Sequence, residues 1–208
     1  MSKQQRLSVG RVLWLQWVLA GILGRVVSGA IVGYAYPAME ARLGVIAAAI
    51  AGVSLLGMTV GVAQWFVLRQ RIARTGWWVL ASTIGTAVGA YESVRFELLD
   101  LHVGPGIELD PLLAGAVFGG LLAVLQWLAL LWRVKRGYWW ILASAVVHSV
   151  SRFTANVVST FLEKPGSMVV DGVVEGGITA ALTGLLLVWL LRYPISKSPG
   201  GGHAQVSE

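Results

Sequence analysis

The sequence predicts an all-α membrane protein, a bundle of six transmembrane helices built from three helix pairs. Two observations predict this fold: the chain is unusually apolar, and one motif recurs along it at a fixed spacing. Of the 208 residues, 56% are hydrophobic and 12% are charged, with a mean hydropathy of +0.73. Since a soluble domain is usually about 25% charged, water is not the main solvent of this chain.

Six apolar runs are long enough to cross a bilayer, because a hydrocarbon core about 30 Å thick needs roughly 20 apolar residues of helix. Pro37 and the later prolines stand at or beyond the ends of these runs, where a missing backbone N–H costs little. The sequence therefore divides into an N-terminal segment 1–11, a transmembrane domain 12–192 and a flexible tail 193–208. The predicted spans are residues 12–34, 43–68, 77–99, 111–132, 139–162 and 168–191.

The basic residues predict the orientation of the helices. Eleven of the 16 Lys and Arg residues lie in the N-terminal segment, in the loops after spans two and four, and after span six. An even number of spans separates these segments, so they share one side of the membrane. By the positive-inside rule that side is cytoplasmic, which predicts a multi-pass protein of the bacterial inner membrane with both termini in the cytoplasm.

A helix-pair motif recurs with a constant offset of 62 residues. Gln-Trp, a basic loop and Trp-Trp-x-Leu-Ala-Ser occur within residues 64–82 and again within residues 126–144. Span one begins with a similar segment at 17–21, and Thr183 stands in span six where the earlier units have glutamine. Because each unit is a helix pair, successive units share one orientation, which predicts a pseudo-threefold axis along the membrane normal.

The repeated residue types indicate how the helices pack. We interpret the tryptophans near the span ends as an aromatic belt at the membrane interface. Gln64 and Gln126, one turn inside, are expected to form hydrogen bonds across helices. Gly57 and Gly61 lie one turn apart, as do Gly115 and Gly119, and such small-residue faces let helix backbones approach closely. An alternative role of these Gly faces is to pack against membrane-protein partners or a second copy of the chain.

Several ionisable or polar side chains lie inside the predicted spans. Such groups cost about 2.5 to 3.5 kcal/mol each on insertion scales, so they need a partner or a water-filled setting. Depths counted at about 1.5 Å per residue place them mainly in the outer half of the bundle. We predict one charged cluster there, formed by Arg25, Glu92, Arg95, His148, Arg152, Asn156, Asp171 and Glu175.

Within this cluster, spans five and six are neighbours because only a short loop joins them. We therefore expect Arg152 to face Glu175 or Asp171. The second expected pairing is Glu92 with Arg25 or Arg95. The cluster has two interpretations, which the sequence leaves open: a cavity that binds or transports a small polar or anionic solute or ion, and an ion-pair network that locks the register of a structural or assembly subunit.

Other classes of function are disfavoured by what the sequence lacks. The chain has no cysteine, no serine-nucleophile motif and no histidine or carboxylate at ligand spacing from His148 on its helix. We therefore predict no enzymatic activity, no cofactor and no metal site. The net charge of +6 falls in short segments between apolar runs, which favours a partner in the lipid bilayer and no nucleic acid.

The motifs also carry a resemblance. Gly-x-x-x-Gly-x-x-Gln-Trp at residues 57–65, followed by Arg69 and the Trp-Trp-Val-Leu-Ala-Ser run at 77–82, resembles a family of uncharacterised polytopic membrane proteins of cyanobacteria and Chloroflexi-like bacteria. The segment 176–192 is similar to the end of that family's sequences. The resemblance implies a multi-pass membrane protein and brings no activity or site residues with it.

Overall fold

The described part of the chain forms six α-helices. The computed structural model describes residues 3–72, 75–97, 110–129, 136–162 and 167–192. Within those ranges, the side chains of residues 3–9, 93–97, 110, 156, 159–162 and 167–172 lie outside the description. The helices are α1 (Lys3–Leu43), α2 (Val45–Leu68), α3 (Trp77–Glu97), α4 (Asp110–Ala129), α5 (Trp139–Leu162) and α6 (Ser167–Leu190).

The predicted all-α fold with six helices is confirmed. Within the described residues, four segments are long and apolar enough to cross a membrane by length and composition: Gly10–Leu43, Val45–Leu68, Pro111–Ala129 and Val173–Leu190. The remaining two helices, α3 and α5, begin where the sequence analysis places spans three and five. The tail 193–208 lies outside the described residues.

Helix α1 is longer than predicted at both ends. It begins at Lys3 and continues to Leu43, whereas the predicted span covers 12–34. Pro37, expected beyond the end of that span, lies inside the helix. The use of this proline as a helix boundary is therefore wrong. Membrane helices tolerate proline because neighbouring groups and small local adjustments satisfy the carbonyl group that it leaves unpaired.

Gly44 alone connects α1 to α2. Its backbone has φ 79° and ψ 164°, a conformation that residues with a Cβ atom almost never adopt. Its N–H donates to the carbonyl oxygen of Glu40 at 2.9 Å, which continues the hydrogen bonding of α1 into the turn. A glycine at this position therefore allows the chain to reverse direction between two long helices through a single residue.

The helices form a closed ring. Each helix packs against its neighbours in the chain, and α1 also packs against α6. The closest approaches occur at glycines: a Cβ atom at Gly57 of α2 would lie 2.6 Å from the carbonyl oxygen of Ser82, and one at Gly119 of α4 would lie 2.5 Å from that of Ser144. Glycine is needed at both positions because the neighbouring backbone occupies the space of a side chain.

Replacing Gly44 with alanine should destabilise the protein. We expect a loss of about 1–3 kcal/mol in the free energy of unfolding, because alanine must either adopt a strained backbone conformation or distort the turn. Titration of the purified protein with SDS in mixed micelles measures this quantity. The matched control is Gly177→Ala, at a helical site with open space around the Cβ position, which should be neutral or slightly stabilising. Equal effects of both substitutions would contradict the prediction.

Candidate functional site

Three tryptophan side chains meet at the centre of the ring. Trp17 on α1, Trp78 on α3 and Trp140 on α5 are each 2% exposed or less. Their ring centroids lie 5.8 to 6.1 Å apart, and every pair meets edge to face. Such contacts contribute about 0.5–1.5 kcal/mol per pair beyond the area that they bury. This tryptophan trio therefore joins three helices that are not neighbours in the ring.

Each indole N–H of the trio donates a hydrogen bond to a side chain of an even-numbered helix. The pairs are Trp17 Nε1 to Thr183 Oγ1 at 3.1 Å, Trp78 Nε1 to Gln64 Oε1 at 3.1 Å, and Trp140 Nε1 to Gln126 Oε1 at 3.0 Å. A buried indole needs such an acceptor because an unpaired polar group in an apolar interior is costly. The predicted hydrogen bonds of the two glutamines across helices are confirmed.

The trio also corrects the interpretation of the tryptophans as an interfacial belt. In the doublets that open α3 and α5, Trp78 and Trp140 are buried, whereas Trp77 and Trp139 are 65% and 43% exposed. Successive residues on a helix point about 100° apart, so the two members of a doublet cannot share one face. The belt interpretation fits only the outward member of each doublet.

Two serines, each four residues after a tryptophan of the trio, differ in their hydrogen bonding. Ser82 Oγ accepts a hydrogen bond from Gln126 Nε2 at 3.0 Å. Ser144, 2% exposed, has an Oγ atom with no hydrogen-bond partner among the described residues. A buried polar atom without a partner costs about 1–3 kcal/mol, and native proteins retain few of them.

Ser82 and Ser144 differ in hydrogen bonding because a different residue of an even-numbered helix lies beside each of them. Gln126 has both an acceptor and a donor, so it links α5 to α3, whereas Thr183 on α6 has a single hydroxyl group. That hydroxyl accepts from Trp17 and donates to the carbonyl oxygen of Thr179 at 2.6 Å. No donor on Thr183 is left for Ser144.

A cavity of about 60 Å³ lies inside the ring against the trio. A water molecule needs about 10–15 Å³ by this measure, so the cavity has room for about four to six water-sized groups. Trp17 and Trp140 form part of its wall. Its polar lining includes Arg25, Gln64, Thr86, Ser144, His148 and Thr179. The hydroxyl without a partner is therefore one of several polar groups in a wall that is otherwise mostly apolar.

Arg25 forms an ion pair with Glu175. Arg25 Nη2 and Glu175 Oε1 lie 3.7 Å apart, and the two side chains are 17% and 26% exposed. From the sequence, Arg152 is expected to face Glu175 or Asp171, but the ion pair described for Glu175 is with Arg25. Closure of the ring brings α1 beside α6, and the side chain of Arg25 packs directly on Gly176, where a Cβ atom would collide with it.

His148 lies one turn beyond Ser144 on α5. It is 6% exposed, and its Nδ1 atom lies 2.8 Å from the carbonyl oxygen of Ser144. Since a carbonyl oxygen only accepts hydrogen bonds, Nδ1 carries the hydrogen, and Nε2 is the remaining polar atom of the ring. The ring packs against Phe118, with centroids 5.3 Å apart, and lines the same cavity as Arg25.

The structure thus brings together three of the eight residues of the predicted cluster: Arg25, His148 and Glu175. Glu92 and Arg152 are half-buried, and each makes an interaction of its own. The side chains of Arg95, Asn156 and Asp171 lie outside the described residues. The expected pairings of these five residues stay predictions.

The sequence analysis missed the uncharged part of the site. Thr86, Ser144 and Thr179 line the cavity, but serine and threonine are common in helices and attract no attention singly. A signal was present in the 62-residue offset, because Ser82 and Ser144 occupy the same place in the motif while Thr183 departs from it.

Comparison with known proteins adds no assignment to this geometry. No protein-family model matches the chain, and no curated protein or solved structure matches it either. Among the described residues, no group of three or more histidine, cysteine or acidic side chains is arranged to hold a metal ion. The site is therefore interpreted from its own chemistry.

The two serines provide a test of the hydrogen-bond arrangement. We expect Ser82→Ala to lower the free energy of unfolding by about 1 kcal/mol because it leaves Gln126 Nε2 without its acceptor. Ser144→Ala should leave the free energy unchanged or raise it by up to about 2 kcal/mol, because it removes a polar atom that has no partner. SDS titration of both variants measures the difference. A larger loss for Ser144→Ala than for Ser82→Ala would contradict the arrangement.

The ion pair can be tested with a double-mutant cycle. Arg25→Gln and Glu175→Gln should each destabilise the protein by about 2 kcal/mol, between the values typical of surface and buried pairs. The double variant should lose less than the sum, by about 1 kcal/mol, because the two side chains share one interaction. Arg42→Gln, on an exposed side chain, is the control. Strict additivity of the two losses would show that the side chains are not coupled.

Proposed function

We propose that this protein is an integral protein of the bacterial inner membrane that binds, and by extension transports, a small polar solute in the cavity inside its helix ring. One observation supports this function above all: Ser144 has a buried hydroxyl without a partner in the wall of a cavity whose lining combines polar and apolar side chains. Retaining such a group costs stability, and a bound solute that forms a hydrogen bond with it offsets this cost.

The proposal includes three helix-pair repeats around a pseudo-threefold axis. Support comes from the trio, because each tryptophan lies on an odd-numbered helix and donates to an even-numbered one. Further support comes from the spacing of the residues along the chain. The three tryptophans are 61 and 62 residues apart, and the eighth residue after each of them is, in order, Arg25, Thr86 and His148. In this arrangement a repeated scaffold carries different side chains at equivalent places.

The proposed orientation places the cytoplasm beside the basic loops. The loop after α2 begins with the exposed Arg69, whose guanidinium lies 4.9 Å from the ring centroid of Trp65 and 4.4 Å from that of Phe66. Basic and aromatic residues at one end of a helix are typical of the membrane interface. Arg25 lies eight residues beyond Trp17, or about 12 Å along α1. The trio then closes the cytoplasmic end of the cavity, and the ion pair lies toward the outer face.

A substitution that completes the missing hydrogen bond tests this function. Thr183→Gln supplies a side chain that can accept from Trp17 and donate to Ser144, as Gln126 does for its own partners. We expect this variant to be about 1 kcal/mol more stable. It should also lose solute binding, because the longer side chain enters the cavity.

Thermal unfolding of the purified protein provides the measurement. Acetamide, acetate and glycerol are added in turn, and a solute that binds the folded state raises the midpoint by mass action. The midpoint of the natural protein should rise with at least one solute, and that of Thr183→Gln should not. Thr154→Gln is the matched control: this half-buried threonine on α5 donates to the carbonyl oxygen of Val150, and the variant should respond like the natural protein. Identical responses of all three proteins would refute the cavity as the binding site.

The second candidate function is that of an assembly subunit that packs through a Gly face. The observation that favours it is on α1, where Gly29 and Gly33 are exposed, lie one turn apart and have no atom within 4 Å of their Cβ positions. Gly57 and Gly119, in contrast, are used inside the ring. A second copy of the chain is the simplest partner for such a face in a membrane.

The oligomeric state tests this alternative. If α1 pairs with another copy, Gly33→Ile should convert dimers into monomers, because the larger side chain separates the two helices. Gly177→Ile, at another site with open space, is the control and should leave the state unchanged. Sedimentation equilibrium in detergent distinguishes the outcomes. A natural protein that is already monomeric would remove the basis for this alternative.

A further inference from the structure

The lining of the cavity restricts the chemistry of the solute, and this restriction rests on the proposed function. We infer that the cavity binds an uncharged solute of about four to six non-hydrogen atoms that both donates and accepts hydrogen bonds, of the carboxamide or urea type. Three features of the site point to this class: its balanced charge, its unpaired hydrogen-bonding groups and its size.

The charge of the site is balanced. Arg25 is the one charged side chain among the described residues that line the cavity, and Glu175 lies 3.7 Å from it. An anion would have to displace this carboxylate from the guanidinium, and a cation would meet the guanidinium itself. Both would lose their hydration on entering the ring, which is costly for an ion and much less so for a neutral molecule.

The hydrogen-bonding groups of the site call for both donors and acceptors. Ser144 Oγ has no partner among the described residues and is able to donate and to accept. His148 uses Nδ1 on a backbone carbonyl and keeps Nε2 for other contacts. On α1, Gly21 stands four residues after Trp17, where α3 and α5 have serine. Gln126 donates a hydrogen bond to the hydroxyl of Ser82, but α1 offers no such hydroxyl to Gln64.

A primary amide or urea matches this pattern. Its carbonyl oxygen accepts from an amide or a hydroxyl group, and its N–H groups donate to a hydroxyl oxygen or an imidazole nitrogen. With four heavy atoms, acetamide and urea also fit a volume of about 60 Å³. The faces and edges of Trp17 and Trp140 supply an uncharged wall on the remaining side.

Three probes of the same shape and different charge test the inference. Acetamide is neutral, acetate is an anion and acetamidinium is a cation. The full-length protein is labelled with 5-fluorotryptophan, reconstituted in lipid nanodiscs and titrated with each probe while fluorine NMR follows the resonances of the trio. Single Trp→Phe variants assign these resonances. The fluorine atoms of Trp17 and Trp140 report occupancy directly because both side chains line the cavity.

We expect a saturable shift with acetamide and an affinity for each ion that is at least about tenfold weaker, the penalty of about one poorly compensated charge or hydrogen bond. Ser144→Ala should weaken acetamide binding by about tenfold for the same reason. Ser54→Ala, whose exposed hydroxyl donates to the carbonyl of Ile50 on α2, is the control and should bind like the natural protein. Thr183→Gln should abolish the shift because its side chain pairs with Ser144 and occupies part of the cavity.

The possible outcomes separate this inference from the proposed function. Saturable binding of acetate or acetamidinium as tight as that of acetamide would overturn the neutral solute and leave a solute-binding cavity. Saturable binding that is unchanged in Ser144→Ala would overturn the role of this hydroxyl and, with it, the inference. If none of the three probes gave a saturable shift, the inference would fall, and the proposed function would stand only if glycerol raised the unfolding midpoint.

Discussion

The need of three buried indole groups for hydrogen-bond acceptors determines the interior of this protein. Trp17, Trp78 and Trp140 bring apolar area to the centre of the ring, but each also brings one N–H that cannot be left unpaired there. Two glutamines and one threonine meet that need from the even-numbered helices. The helices are held in register by these pairs, because a shift along any helix axis would remove a donor from its acceptor.

The substitution of threonine for glutamine at one of the three acceptors has an effect beyond its own hydrogen bond. A glutamine satisfies an indole and a serine together, whereas Thr183 satisfies the indole alone and leaves Ser144 facing an open volume. The residues that accept hydrogen bonds from the trio therefore stabilise the centre of the ring and also shape the candidate site. A difference of two heavy atoms in one side chain therefore decides whether the serine beside it has a hydrogen-bond partner.

The sequence predicts the helices, their number and the hydrogen bonds of Gln64 and Gln126, because hydropathy and a constant spacing carry that information. It does not predict the ion pair of Glu175 with Arg25. Nearness in the chain favours Arg152, but packing of α1 on α6 supplies Arg25, and Gly176 makes room for it. The burial of the three tryptophans is not predicted for a related reason. Tryptophan in a membrane protein is usually interpreted as interfacial, and only the three-dimensional arrangement shows which member of a doublet points inward.

Closure of the ring by its first and last helices has a consequence for biogenesis. The contact of Trp17 with Thr183 joins residues 166 positions apart, and the carboxylate that neutralises Arg25 lies on the last helix. A chain that enters the bilayer from its N-terminus therefore carries Arg25 without the carboxylate of Glu175 until α6 has been synthesised. Contacts of such separation form late and slowly. Until then, Arg25 needs another partner or contact with water, and a chain that stops before α6 keeps an intramembrane arginine without this carboxylate.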